Sequence, residues 1–284
     1  MNESDFLALL RPLAMHPAAR GFADDAAVLG DLVLTHDMIV EGVHFRADDP
    51  PGDVAWKLVA VNLSDLAAKG ATPTAALMGY SLSGEAAWDA AFVAGLAEAL
   101  SAFDLPLLGG DTVSLPPGSP RVLGLTTFGR SRHAPSRSGA KPDDALWVTG
   151  TIGLAGMGLR CEGSEEAIAA YRRPRPRLAE GRALAPLVHA MMDVSDGLLL
   201  DASRMAEASG LALEIAIDAI PVAGERLAAV TAGDDYELLF ALPDGTAAPV
   251  AATSIGRFSD GSGLTLTDGG VPVPLPARLG YIHD

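Results

Sequence analysis

Along this chain, apolar and polar positions alternate with a period of two over short runs and near 3.6 over longer ones, and the change of period marks the elements. "AAVLGDLVLTHDM" reads as two short strands around a tight turn at Gly30 and Asp31. Asp53 is placed to N-cap a helix through "VAWKLVAVNLSDLAAK", closed by Gly70 and then Pro73. "AALMGYSL" reads as a strand, "GEAAWDAAFVAGLAEALSAF" as a helix, and "LPLLGG" and "RVLGLTTFG" as strands. The polar stretch "RSRHAPSRSGAKPDD" then interrupts the pattern, so a domain boundary is expected there, giving units 1–133 and 134–284. The second half restarts with "ALWVTG" and a glycine-rich turn. It continues through a helix at about 177–190, the segment "MMDVSDGLLLDASRMAEASG", and three or four late strands. Strands alternating with helices in both halves argue for α/β units. "AVNLSDLAAKG" and "MMDVSDGLLLD" share a short Ser-Asp core, a weak trace of duplication.

Composition narrows the class. A chain of 284 residues with 49% apolar content can bury two cores of unequal size. The single cysteine, Cys161, excludes an internal disulfide framework and suits a reducing compartment, the cytoplasm. The N-terminus lacks the basic and apolar regions of a signal peptide, and no run approaches the ~18 apolar residues of a membrane span. A formal net charge of −16 argues against sequence-independent contact with nucleic acid or anionic lipid. A polyanionic ligand such as a nucleotide would therefore have to be held through metal ions.

The acidic residues are grouped in a way that needs a cause. "GFADDAAVLGDLVLTHDMIVEGVHF" places Asp24, Asp25, Asp37 and Glu41 near His36 and His44. Like charges resist crowding unless solvent or a cation separates them. Asp65 interrupts a helix that is apolar nearly all round; either it pairs with Lys69 on an exposed edge, or it is a buried carboxylate kept for a cation. In "LLGGDT" a strand ends in Gly109-Gly110, with Asp111 at its carboxyl end, where α/β sheets bind ligands. In "MMDVSDGLLLD", Ser195 or Asp196 is a good N-cap, which leaves Asp193 without a local role. "GDDYELLF" adds Asp234, Asp235 and Glu237 before an apolar strand. Asp25, Asp37, Asp65, Asp111, Asp193 and Asp196 thus stand as six carboxylates at element edges, and surroundings poor in cysteine and histidine suit magnesium over zinc. There is no G-x-x-x-x-G-K-[ST] loop, no G-x-S-x-G elbow and no H-E-x-x-H, and "GTIGLAGMG" lacks dinucleotide-fingerprint spacing. The basic run "YRRPRPR" reads as a solvated loop rather than a nucleic-acid patch.

Eight segments in order resemble the thiamine-monophosphate kinases, of the aminoimidazole-ribonucleotide-synthetase-like superfamily: "GFADDAAVL", "LTHDMIVEGVHF", "WKLVAVNLSDLAAKGATP", "LLGGDT", "SRSGAKPDD", "DVSDGLLLD", "GDDYELLF" and "GYIHD". The resemblance implies a two-domain α/β (α+β) fold with mixed sheets, the N-terminal sheets pairing across a homodimer. It implies transfer of the γ-phosphoryl group of ATP to thiamine monophosphate, giving thiamine diphosphate, with several magnesium ions and no general base. On the same ground Asp25, Thr35, His36, Asp37, Asp65, Asp111, Asp193 and Asp196 fall on metal positions. Gly110, Asp111, Arg137 and Ser195 fall on ATP positions, and His44, Asp234 and Tyr281 on thiamine-phosphate positions.

Three residues depart from the family's pattern. Ala23 stands where glycine is usual, His36 where Ser or Thr is usual, and Asp234 where Glu is usual. His36 weakens a metal site if that position binds through its side chain and changes nothing if it binds through its carbonyl. The alternatives are an aminoimidazole ribonucleotide synthetase-type ligase, disfavoured by "LTHDMIVEGVHF" and "GYIHD", and a non-catalytic nucleotide-binding maturation partner. Selenophosphate synthetase is disfavoured because the N-terminal region has no Cys or Lys.

Overall fold

The computed structural model describes residues 3–82, 84–116, 118–160 and 164–282. Cys161 and the last two residues of "GYIHD" lie outside them. After a short helix α1 (Glu3–Leu10), the N-terminal half builds one sheet from β1 (Ala27–Leu29), β2 (Leu32–Val40), β3 (Thr72–Leu82), β4 (Leu107–Ser114) and β5 (Val122–Arg130). Its order is β1-β2-β5-β3-β4, with β3 and β4 parallel and the remaining pairs antiparallel. The β1–β2 hairpin turns at Gly30, whose φ of 66° is free to a residue without Cβ. Gly110 faces a different demand, because a Cβ there would lie 1.8 Å from the Met78 carbonyl oxygen. Glycine lets β4 approach β3.

The sheet is covered by α2 (Pro51–Ala68) and α3 (Ala86–Ala102). Helix α2 begins earlier than expected, at Pro51. Asp53 sits in its first turn instead of capping it, and its carboxylate takes Arg173 Nε at 2.5 Å. Pro at the first helical position already lacks an N–H that needs a partner. Gly70, at φ 56°, ends the helix as expected. Leu58, Leu63 and Leu66 are fully buried, each contributing about 1.5–3 kcal/mol of apolar transfer. The C-terminal end of α2 is buried on a second side. Ala67 and Ala68 pack with Leu184, Met191, Leu238 and Phe240 of the other half. One helix is therefore shared by both cores, which explains why it is apolar nearly all round.

The C-terminal half comprises β6 (Ala145–Thr149), α4 (Leu154–Leu159), α5 (Glu165–Arg172), α6 (Leu178–Leu184), β7 (Ala190–Asp193), α7 (Leu198–Ser209), β8 (Ala212–Ala216), α8 (Arg226–Val230), β9 (Leu238–Leu242), β10 (Ala252–Ser259), β11 (Gly263–Asp268) and β12 (Val271–Val273). Its sheet runs β12-β11-β8-β10-β6-β9-β7, parallel at β11–β8 and antiparallel elsewhere. Five strands follow α7's start rather than three or four, and the helix expected at 177–190 stops at Leu184 because the chain must extend into β7.

The run "YRRPRPR" is not a solvated loop. Tyr171 and Arg172 bind Asp49 at 2.8 and 2.9 Å, Arg173 binds Asp53 and Glu98, and Arg177 takes both oxygens of Glu237. Trp56 Nε1 donates to the Pro174 carbonyl at 3.2 Å. The two prolines hold this segment extended, and its arginines strap the C-terminal half onto α2 and α3.

Candidate active site

A cleft of about 1230 Å³ opens between the two halves. Asp25 and Asp37 reach it from the first hairpin, Asp65 from the buried face of α2, and Asp193 and Asp196 from the end of β7 and the turn before α7. The two Ser-Asp segments meet here, with Ser64 Oγ donating to Asp193 Oδ2 at 2.6 Å. His36, His44, Arg137, Ser195, Asp234 and Tyr281 also line the cleft. Thr35 stands behind it and donates its hydroxyl to Asp65. Asp37 is fixed through its backbone, whose N–H donates to Asn62 Oδ1 at 2.9 Å.

Gly110 and Asp111 are not brought to this chain's cleft. They lie on β4, exposed along its whole length. The His36 ring is also engaged elsewhere. It sits at the exposed surface, with Nδ1 2.8 Å from Thr126 Oγ1 on β5. That arrangement favours its carbonyl over its ring as a metal contact.

The alternative pairing of Asp65 with Lys69 does not form. Lys69 is fully buried, and its ammonium donates to Asp24 and to the carbonyls of Pro135 and Met191, tying the halves together. Asp24 also takes Arg20, and Arg137 pairs with Asp25. Burial would raise the Asp25 carboxyl, but Lys69 and Arg137 outweigh it and hold the group near 2. Lys69 Nζ lies 2.7 Å from Asp25 Oδ2, yet without hydrogen-bond geometry, so that buried oxygen has no hydrogen-bond partner.

Asp196 pairs with Arg204, but Asp37, Asp65 and Asp193 have no such cation. Burial, then repulsion by Asp25 and Asp196, pushes Asp37 up to about 6. Burial and the charge of Asp25 push Asp193 up to about 8, and Asp65 is raised well above its ordinary value by burial and by Asp37, Asp193 and Asp25. As placed, no three His, Cys, Asp or Glu side chains among the described residues converge closely enough to chelate an ion. What the cleft shows is a surplus of buried negative charge carried by hard oxygen donors.

The turn before α7 is the hub of the site. Its N-terminus is not capped by Ser195 or Asp196. Asp201, buried within α7, accepts from the Ser195 and Asp196 N–H groups at 3.1 and 3.0 Å. The Val194, Ser195 and Asp196 carbonyls accept the N–H groups of Tyr236, Asp234 and Tyr281 at 2.8, 2.7 and 2.8 Å. Tyr281 is therefore anchored although it lies near the chain's end. His44 Nδ1 accepts the Val40 N–H at 3.1 Å, which leaves the ring proton on Nε2. Asp201 and the two buried lysines, Lys57 and Lys69, were not legible as site residues, although their partners Asp24, Asp25, His44 and Asp234 stood out. A lysine on the apolar stripe of α2 was the available signal for Lys57, whereas Asp201 left none.

Two family models match, the AIR synthase related protein N-terminal domain over residues 23–131 and its C-terminal domain over 141–269. The thiamine-monophosphate kinase of Caulobacter vibrioides is 37% identical over 99% of this chain and 91% of that protein. That of Salmonella typhimurium is 36% identical over 93% and 91%. This chain belongs to the thiamine-monophosphate kinase family. Among solved structures, AaThiL complexed with AMPPCP and TMP superposes with a TM-score of 0.89 at 26% identity, covering all of this chain and 97% of that one. Thiamine-monophosphate kinase from Stenotrophomonas maltophilia gives 0.76 at 32% identity over 95% and 96%. The hydrogenase maturation protein HypE in complex with ATP shares the fold at 20% identity, with a TM-score of 0.72. Both AIR synthase related domains of the kinase family are thus present, each built on a mixed sheet.

Proposed function

We propose that this protein phosphorylates thiamine monophosphate with ATP, giving thiamine diphosphate by direct γ-phosphoryl transfer. The observation that carries the reading is that Asp25, Asp37, Asp65, Asp193 and Asp196 line one cleft together with Arg137, His44, Asp234 and Tyr281. The names of the relatives supply the reaction, and the solved complex with AMPPCP and TMP supports both substrates.

The donor set fits magnesium. The donors are carboxylate oxygens, and the buried Asp65 and Asp193 resist ionisation without a cation. Asp25, Asp37, Asp65, Asp193 and Asp196 would hold the ions, with Thr35 and the His36 carbonyl as further oxygen donors. Magnesium bound there would supply neutralisation of the phosphate charge during transfer. Arg137 brings a guanidinium whose buried Nε makes no hydrogen bond, a ready donor to a phosphate oxygen of ATP. Ser195 adds a hydroxyl to the same cleft. The acceptor is already a phosphate, ionised near neutral pH, so no side chain has to remove a proton. His44, Asp234 and Tyr281 form the acceptor end, where an aromatic face suits the cationic thiazolium ring.

The protein acts as a homodimer in this reading. Both faces of β4 are exposed, with Leu108 at 68% and Val113 at 53%, and an open edge strand is a template for pairing. A second copy paired through these N-terminal sheets would bring Gly110 and Asp111 into use, although they stand away from their own chain's cleft. A strictly monomeric mass at micromolar concentration would overturn this part. Among the described residues no helix is long and apolar enough to cross a membrane, and an ATP-consuming enzyme with one cysteine suits the cytoplasm.

The discriminating experiment is magnesium-dependent ATP consumption with and without thiamine monophosphate. A kinase consumes ATP only when the thiamine compound is present and yields thiamine diphosphate. A ligase of the AIR synthetase type ignores the compound, and a non-catalytic nucleotide binder consumes nothing.

A further inference from the structure

Helix α2 carries a second buried lysine, which the phosphate chemistry does not use. Lys57 is 2% exposed, and its ammonium donates to the His44 carbonyl at 2.9 Å and to Asp234 Oδ2 at 2.5 Å. It also lies 4.1 Å from the centroid of the Tyr171 ring, a cation–π contact. A buried ammonium that served packing alone would be a poor choice, since an apolar side chain of the same volume avoids its desolvation. Its two polar partners are not core atoms. They belong to the two residues that flank the acceptor end of the cleft, one on the loop after β2 and the other on the loop before β9.

Asp234 is itself held under constraint. Its φ of 66° is a left-handed conformation that is uncommon for a residue with a side chain, though aspartate tolerates it better than most, and three contacts hold it there. Its N–H donates to the Ser195 carbonyl at 2.7 Å, Tyr236 donates to Oδ1 at 2.9 Å, and Lys57 holds Oδ2. Of these, only the contact from Lys57 crosses to the N-terminal half.

We propose that Lys57 is a positioning residue for the acceptor substrate. Its ammonium fixes the spacing between the His44 loop and Asp234 across the two halves, and so sets the shape of the thiamine end without touching the reacting phosphates. This rests on the reading of His44 and Asp234 as acceptor contacts. Lys57 lies eight residues before Asp65 on α2, about 12 Å along the helix axis, so ATP and metal binding should not depend on it.

The test measures kinetics and direct binding by calorimetry on the intact protein, using thiamine monophosphate and a non-hydrolysable ATP analogue separately. Lys57→Met is expected to raise KM and the dissociation constant for thiamine monophosphate by about tenfold or more, as loss of one partner of a buried charge pair does. The ATP values should stay within about twofold and kcat within about threefold. Lys57→Arg, which keeps the charge but displaces the donors, should also raise KM for the acceptor at an unchanged melting temperature, and it decides the matter if Lys57→Met does not fold. Equal weakening of both substrates, or an unchanged acceptor KM in Lys57→Arg, overturns the proposal. Asp234→Asn separates the two levels. If it weakens the acceptor while neither Lys57 variant does, the acceptor site stands and the role of Lys57 falls. If none of the three variants affects the acceptor, the placement of the acceptor site itself is wrong.

Discussion

Replacing Asp193 by Asn should stabilise the metal-free protein while disabling it. Asp193 is 4% exposed, and burial with the charge of Asp25 pushes its carboxyl up to about 8 from an ordinary 3.8. Without a cation, folding at pH 7 must therefore protonate a group that is ionised in the unfolded chain. Over roughly three pH units at about 1.36 kcal/mol each, that costs up to about 4 kcal/mol. Asn has no carboxyl to protonate, and because Asp193 titrates together with its carboxylate neighbours the substitution should recover about half of that cost, near 2 kcal/mol. For a chain of this size that raises the melting temperature by about 4–8 °C. Asn keeps the volume and an oxygen to accept from Ser64, so packing is preserved. The penalty is absent below pH 3.8 and grows as pH rises toward 8, so the stabilisation by Asn should be large at pH 8 and small at pH 5. The assay is scanning calorimetry of chelator-treated wild-type and variant protein at both pH values, with and without magnesium. Magnesium should raise the melting temperature of the wild type far more than that of the variant. A variant that melts lower than wild type at pH 8 without metal would refute the charge-surplus reasoning.

The other expectations follow from the same geometry. Asp65→Asn should lower turnover by several orders of magnitude while folding is retained, and near-full activity at low magnesium would show that Asp65 is not a metal ligand. Tyr281→Ala should raise KM for thiamine monophosphate roughly tenfold, the ~1.4 kcal/mol a cation–π contact supplies, with ATP affinity barely changed and Tyr281→Phe nearly silent. Equal loss for both substrates would make Tyr281 a support of the fold. Gly110→Ala should destabilise the protein severely, because the added Cβ would sit 1.8 Å from a β3 carbonyl oxygen; a melting temperature within 2 °C of wild type, by the same ~2–4 °C per kcal/mol, would contradict that close approach.

Much of this protein is written locally in its sequence. The β1–β2 hairpin follows from alternation and a glycine able to take φ 66°, and α2 from an unbroken apolar run ended by Gly70. The acidic residues at element edges were visible for the same reason, since ionised groups in apolar surroundings stand out against the pattern. Partners were not visible, because they are chosen by distance in space. Lys69, four residues from Asp65, bonds instead to Asp24 across 45 positions and to Met191 across 122. Asp53, Ser195 and Asp196 look like caps, yet Asp53 goes to Arg173 and the turn before α7 is held by Asp201 from within the helix. The arginines of "YRRPRPR" look solvated until α2 and α3 supply their carboxylates. A side chain's conformation is limited by its neighbours along the chain, but its charge is balanced by whatever packing brings within a few ångströms. Sequence therefore marked which residues are candidates for the chemistry, and only tertiary packing decided that Asp25, Asp37, Asp65, Asp193 and Asp196 share one cleft while Asp111 stands apart on β4.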